Sequence, residues 1–319
     1  MSRPHILVTG GAGFIGSHVV ERLLKDGSAV TVIDDCSTGR VENLRSVMTH
    51  ADLRFVQAKV SECKGLDEIV ANSSFVFHLA AAVGVELVVH SPIRTIETNL
   101  HETEAILHSA GKHGVPVLLA STSEVYGKSQ KPAFSEGDDL LIGPPNLGRW
   151  SYACSKLMDE FLALAYAKEK GLPIVITRLF NTVGPRQTGR YGMVLPRFIA
   201  AAKAGSPLKV FGDGSQTRCF CYVADTVEAL VRLQKTPAAM GEVFNVGGTE
   251  EISIRNLAEK VVRVLGSSSS IEFVPYGEAY AVGFEDMLRR KPVVDKLFRT
   301  IQFLPSTPLE HIVELTALH

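Results

Sequence analysis

The chain has no uninterrupted apolar run approaching the roughly 18 residues that a membrane-spanning helix requires. It also has no surplus of either charge, since 33 Lys and Arg face 34 Asp and Glu for a formal net charge of −1. The first absence argues against a helical membrane protein, and the second removes the basic bias of a nucleic-acid binder. Cysteine is scarce: Cys36, Cys63, Cys154, Cys219 and Cys221 form an odd, scattered set that suits reduced thiols better than a disulfide framework. Cys219-Phe-Cys221 has no second Cys/His cluster to complete four ligands, so no metal is expected. Its alternation reads instead as a strand with small buried thiols. There is no internal repeat, and no low-complexity stretch longer than residues 267–270, whose four serines read as a surface loop. The first ten residues pass into a strand-like run without a charged segment followed by an apolar one, so a cytoplasmic location is expected.

What is present is 45% hydrophobic residues over 319 positions, enough for one large domain or two intimate ones. Residues 5–9 and 29–33 are strand-like. Between them, residues 14–25 place Ile15, Val19, Val20, Leu23 and Leu24 on one helical stripe. The rhythm recurs with strands at 75–79, 115–120 and 173–179 and helices at 93–113 and 151–170. Strands alternating with long helices predict an α/β fold, a Rossmann-like doubly wound parallel sheet with ligands at the carboxyl ends of its strands. Beyond Gly184-Pro185 the elements shorten, with helices expected at 194–204, 223–233 and 253–265 and a return strand at 241–247. The expected division is a cofactor-binding domain over 1–180, with a return segment at about 220–248, and a smaller discontinuous substrate lobe over 181–319.

Gly10-Gly-Ala-Gly-Phe-Ile-Gly16 follows the first strand and opens the first helix, the context in which a glycine loop cradles a dinucleotide pyrophosphate. Asp34 closes the second strand 18 residues after Gly16, where a carboxylate bonds the ribose hydroxyls and repels a 2′-phosphate. NAD is therefore expected in preference to NADP, with Arg40 the nearby cation that speaks for the phosphate. As isolated residues, such a loop and carboxylate would be turn-formers. Tyr152 and Lys156 stand four apart on a predicted helix, hence on one face, so the ammonium is placed to lower the phenol's pKa from about 10 towards neutrality. Such a pair alone is a common accident of helix composition. Beside a dinucleotide loop it predicts removal of a hydroxyl proton while hydride leaves the same carbon.

These motifs resemble those of the extended short-chain dehydrogenase/reductases, the NAD-dependent epimerase/dehydratase family that acts on nucleotide sugars. The resemblance runs through His78-Leu-Ala-Ala81, Ser121-Thr-Ser-Glu-Val-Tyr-Gly127, Arg178-Leu-Phe-Asn-Thr-Val-Gly-Pro-Arg186 and Gly212-Asp-Gly-Ser-Gln-Thr-Arg218. It departs at Lys59-Val60, where the family often carries an acidic residue near adenine. Within the family, Ser121–Gly127 with its Glu124, the stretch 141–152 and Gly283-Phe-Glu-Asp-Met-Leu-Arg-Arg-Lys-Pro292 look most like UDP-glucuronic acid decarboxylases.

The resemblance implies a set of roles. Gly10, Gly13, Phe14, Ile15, Gly16, Asp34, Leu79, Ala80, Ala81, Asn99, Tyr152 and Lys156 would hold NAD. Thr122, Ser123, Glu124, Tyr152, Lys156 and Arg218 would carry the chemistry, with Tyr152 the base, Lys156 its partner and Thr122 bridging the sugar O4. Asn181, Arg186, Arg218 and Arg289 would hold the diphosphate of a UDP-sugar. His78 and His90, without a paired carboxylate, read as structural. A cytoplasmic homodimer is expected through helices 93–113 and 151–170.

Two enzymatic rivals share the opening oxidation at C4. A 4-epimerase needs only Thr122, Tyr152 and Lys156 with room for the keto sugar to turn. A 4,6-dehydratase also needs an acid directly before the glutamate, where this chain has Ser123. A non-catalytic NAD-sensing scaffold is the reading from another class, against which the retained Tyr152 and Lys156 stand.

Overall fold

The computed structural model describes residues 3–82, 91–188, 193–275 and 287–318. His90 and the first four residues of the 283–292 stretch lie outside them. Six strands, β1 (His5–Thr9), β2 (Ala29–Asp34), β3 (Leu53–Gln57), β4 (Phe75–His78), β5 (Val117–Thr122) and β6 (Ile174–Leu179), join a later strand, Glu242–Val246, in one sheet. The order is Glu242–Val246, β6, β5, β4, β1, β2, β3, and every neighbouring pair is parallel.

Strand periodicity sorts side chains between two cores. In β1, Ile6 and Val8 pack with Val19, Val20 and Leu23 of the Phe14–Lys25 helix and Val227 and Leu230 of the Val223–Gln234 helix. Leu7 faces the opposite way, towards Ile106 and Leu107 of the Pro92–His113 helix and Ala163 of the Trp150–Lys170 helix. Because both faces are covered, the inner strands read as continuous apolar runs and not as alternating ones. Each fully buried aliphatic side chain contributes about 2 kcal/mol to this sandwich.

Strand β3 and the short helix Leu66–Ala71 were not legible in the sequence. β3 is an edge strand whose Arg54 and Gln57 face solvent, so it presents no apolar run. β5 extends two residues past its expected end, which brings Ser121 and Thr122 into register with Arg178 and Leu179 of β6.

Among the described residues after 181, the strands other than Glu242–Val246 are short and form three small sheets. Thr182–Val183 pairs with Cys221–Tyr222, Thr217–Cys219 with both Glu251–Ser253 and Arg289–Arg290, and Leu208–Phe211 with Ile271–Val274. The expected single strand through Cys219-Phe-Cys221 is thus divided between two sheets, and Phe220 is buried along with both thiols. The 267–270 serines also do more than cover surface: Ser269 is buried, and Ser267 Oγ donates at 2.8 Å to the Ala202 carbonyl. That carbonyl lies in the last turn of the Val194–Lys203 helix, where acceptors lack an intrahelical partner. A third core joins Leu195, Phe198 and Ile199 to Leu257, Val261 and Ile312. The helix Asp295–Ile301 returns Leu297 and Ile301 to the core of the large sheet.

Candidate active site

β1 has β2 on one side and β4 on the other, so the strand order reverses there and a crevice opens at the carboxyl ends. A cavity of about 450 Å³ begins in that crevice and runs between the large sheet and the later small sheets. Gly10, Gly13, Phe14, Ile15, Gly16, Asp34, Leu79, Ala80 and Ala81 all line it. Gly10 has φ +69°, and a Cβ there would sit 2.7 Å from the Ala80 nitrogen. A Cβ on Gly16 would run into the Gly10 carbonyl oxygen. Gly13 caps the Phe14–Lys25 helix with no side-chain hydrogen bond, and no acidic residue occupies the first turn. The backbone cradle and its helix N-terminus fit a pyrophosphate.

Asp34 Oδ2 accepts the Ala12 amide at 2.9 Å and Oδ1 accepts the Cys36 amide at 2.8 Å. Its carboxyl is raised above the ordinary value because burial outweighs those bonds. Arg40 lines the same cavity but is exposed. The loop at Lys59-Val60 also reaches the cavity. It obtains a carboxylate from elsewhere, since the buried Glu102 accepts the Val60 and Ser61 amides from the Pro92–His113 helix. Asn99 does not line the cavity. Its Oδ1 accepts the Ala82 amide at 2.8 Å and its Nδ2 donates to Ser155 Oγ at 3.0 Å, so it braces the loop after β4 against the Tyr152 helix. His78 is buried between the Thr9 and Thr103 hydroxyls at 2.8 and 3.1 Å, and burial drives its pKa down to about 3.

Thr122, Ser123, Glu124 and Tyr152 meet at the end of β5 and line the cavity together. Thr122 caps the short turn Ser123–Tyr126, accepting the Glu124 amide at 3.2 Å, and its hydroxyl also bonds the Tyr152 phenol. The phenol is not drawn towards neutrality. Burial raises its pKa, the Glu124 carboxylate raises it further, and the Thr122 bond and Arg290 offset only part of this. Lys156 shares the phenol's helix face but does not line the cavity, and its ammonium donates at 2.7 Å to Asp159 Oδ2.

Glu124 is opposed by a cluster of guanidinium groups. Burial alone would raise its carboxyl, yet Arg149, Arg290 and Arg218 together hold it below the ordinary value. Arg290 Nη1 donates to its Oε1 at 3.1 Å, and Arg149 Nη2 lies 3.8 Å from its Oε2. Arg218, buried, donates to the Thr217 carbonyl at 2.8 Å and lines the cavity.

Arg289, expected at the diphosphate, does not line the cavity, whereas its neighbour Arg290 does. Arg289–Arg290 pairs in parallel with Thr217–Arg218, so Arg290 falls opposite Arg218 on the cavity side, whereas Arg289 bonds Glu251 at 2.6 Å on the outer side. Alternation along a strand is the physical reason, and it was unreadable while this two-residue strand was unrecognised. Asn181 lines the cavity with φ +29° and donates to the Cys219 carbonyl at 2.9 Å. Arg186 lines it too, but its guanidinium is engaged by Ser17 Oγ at 3.1 Å and Glu21 Oε1 at 2.6 Å.

With the geometry in place, comparison with known proteins is decisive about kinship. The model of the NAD dependent epimerase/dehydratase family matches residues 6–247. The chain belongs to this family. It is therefore an NAD-dependent enzyme built on the extended short-chain dehydrogenase/reductase fold. It is 43% identical to a UDP-N-acetyl-alpha-D-glucosaminuronate decarboxylase of Bacillus cytotoxicus over 95% of this chain and 94% of that protein. It is 35% identical to UDP-glucuronic acid decarboxylase 1 of Xenopus tropicalis over 97% of this chain and 70% of that protein. Among solved structures, it resembles the UDP-glucuronic acid 4-epimerase of Bacillus cereus in complex with UDP-glucuronic acid and NAD. That match has a TM-score of 0.87 at 30% identity and covers 98% of each chain.

Proposed function

We propose that this family member is an NAD-dependent decarboxylase of a UDP-linked hexuronic acid. The observation that carries the reading is the wall formed by Arg149, Arg218 and Arg290 around the ionised Glu124 beside the Tyr152 phenol. Guanidinium groups at the reacting end of the cavity are suited to bind a sugar carboxylate bidentately, a group that a neutral hexose does not offer.

Bound NAD supplies the hydride acceptor. Gly10, Gly13 and Gly16 admit its pyrophosphate, and Asp34 meets its ribose. Thr122 and Tyr152 hold the sugar O4 hydroxyl. With a positively charged nicotinamide bound beside it, the phenol would give its own proton to solvent. The phenolate then takes the O4 proton as the C4 hydrogen departs with its electron pair. The resulting ketone makes the C6 carboxylate that of a β-keto acid. The C5–C6 bond then breaks, CO₂ leaves, and the electron pair is held as an enolate across C5, C4 and O4. The arginine wall stabilises that anion, and Glu124 orients a water that passes a solvent proton to C5. Lys156 keeps two N–H donors beyond the one given to Asp159, for the phenol and the cofactor ribose. Asn181, Arg186 and Arg218 face the diphosphate.

A 4-epimerase is the second reading, favoured by the likeness to the Bacillus cereus enzyme. Incubation with NAD and either UDP-glucuronate or UDP-N-acetylglucosaminuronate, with products read by mass, separates the two. The expected product has lost CO₂, as a UDP-pentose or its 4-keto form. Tyr152→Phe should lose about 100-fold or more in rate while still binding NAD. Unchanged mass with inverted C4 establishes the epimerase, and loss of water from a neutral hexose the dehydratase. Absence of any turnover leaves an NAD-sensing scaffold.

The same reading assigns 1–180 with the 220–248 return to the cofactor and the rest of 181–319 to the sugar nucleotide. It pairs two copies through Pro92–His113 and Trp150–Lys170, whose Ile93, Met158 and Phe161 are exposed. The free thiols suit a reducing cytoplasm, where cell fractionation should find the protein.

A further inference from the structure

Lys156 and Asp159 form an ion pair at 2.7 Å with only 2% and 0% of their side chains exposed. They stand three residues apart on the Trp150–Lys170 helix, as neighbours on its surface. Burying two charges costs more than a surface pair returns, so a pair placed one turn from the reacting phenol calls for a reason.

We propose that Asp159 is a positioning residue for the reaction, whose carboxylate anchors the Lys156 ammonium in place one turn from the Tyr152 phenol. The surrounding groups leave that task to Asp159. Glu160, the adjacent carboxylate, is already engaged by Arg178 of β6 at 2.8 Å and by the Ser121 hydroxyl of β5. His78 of β4 approaches the ammonium as a neutral ring and brings no negative charge. Burial raises the Asp159 carboxyl and the Lys156 ammonium against it offsets only part of that, while Asp159 Oδ1 has no hydrogen-bond partner among the described residues. On the Pro92–His113 helix the Thr103 hydroxyl bonds His78, and Asn99 is occupied by Ala82 and Ser155. Glu124 and Arg290 act on the Tyr152 phenol from the cavity side. Asp159 itself opposes ionisation of that phenol. This inference rests on the reading of Lys156 as the ligand of the cofactor ribose.

The test compares wild type, Asp159→Asn and Asp159→Ser, measuring kcat, KM and, separately, the NAD dissociation constant. Both variants should lose about tenfold or more in kcat and in NAD affinity while KM for the sugar nucleotide stays within about threefold. Wild-type kcat and NAD affinity in Asp159→Asn overturn the proposal, as does a rise in KM as large as the fall in kcat, the mark of a general disturbance of the site. Should Asp159→Asn fail to give a cooperative melt, Asp159→Ser decides alone by the same readouts. Lys156→Met distinguishes the underlying reading, because unchanged NAD affinity in that variant removes Lys156 from the ribose and both ideas fall together.

Discussion

Replacing Arg290 by alanine, with Arg289→Ala as its partner experiment, tests the arginine wall where structure and sequence disagree. Arg290 is 14% exposed and donates at 3.1 Å to a Glu124 carboxylate that is 15% exposed. Two unit charges at that separation attract by about 5 kcal/mol at an effective dielectric constant near 20. Desolvation returns part of this, and breaking such a pair typically costs about 2–4 kcal/mol. If Glu124 must be ionised and fixed for turnover, kcat/KM should fall by about 30- to 1000-fold at about 1.4 kcal/mol per decade. Arg289 is 47% exposed and bonds Glu251 on the far side of the strand. A surface pair of that kind is worth about 0–1 kcal/mol of stability, so Arg289→Ala should leave kcat/KM within about threefold. CO₂ release from the uronic acid nucleotide, with thermal melting as a control for folding, measures both variants. The reasoning is refuted if Arg289→Ala is the more damaging change, or if Arg290→Ala keeps more than about a third of wild-type activity.

Two further outcomes follow from buried and exposed side chains. The His78 imidazole falls from an ordinary value of 6.5 to about 3 on burial, so between those values the unfolded chain takes up a proton that the native state refuses. Stability should be full above pH 6.5 and fall by about 1.4 kcal/mol per unit as acid is added, and His78→Gln should flatten that part of the melting profile. An unchanged acid slope would show that other groups dominate it. Phe161, 62% exposed on the helix that also bears exposed Met158, should lie in the interface between copies. Phe161→Asp is expected to convert a dimer to a monomer in sedimentation, and a wild type that sediments as a monomer removes that interface.

Local spacing was enough to determine the parallel sheet, the glycine loop with Asp34, and the Tyr152 and Lys156 face, because each depends on the period of a strand or helix or on the steric demands of a turn. Thr122, Ser123 and Glu124 were legible through the family resemblance of Ser121–Gly127, and the fold places them at a strand end that is also a cavity edge. Contacts between distant segments were not. Arg290 displaced Arg289 because a two-residue strand pairs with Thr217–Cys219, and pairing register selects which side chain faces inward. The phenol is raised and not lowered because burial, then Glu124, and to a smaller extent Asp159 act on it in space. Glu102 supplies, from a helix some forty residues away in sequence, the carboxylate that the Lys59-Val60 turn lacks. Periodicity belongs to the chain alone, but the charge felt by a buried group is a sum over neighbours that only the folded chain brings within a few ångströms.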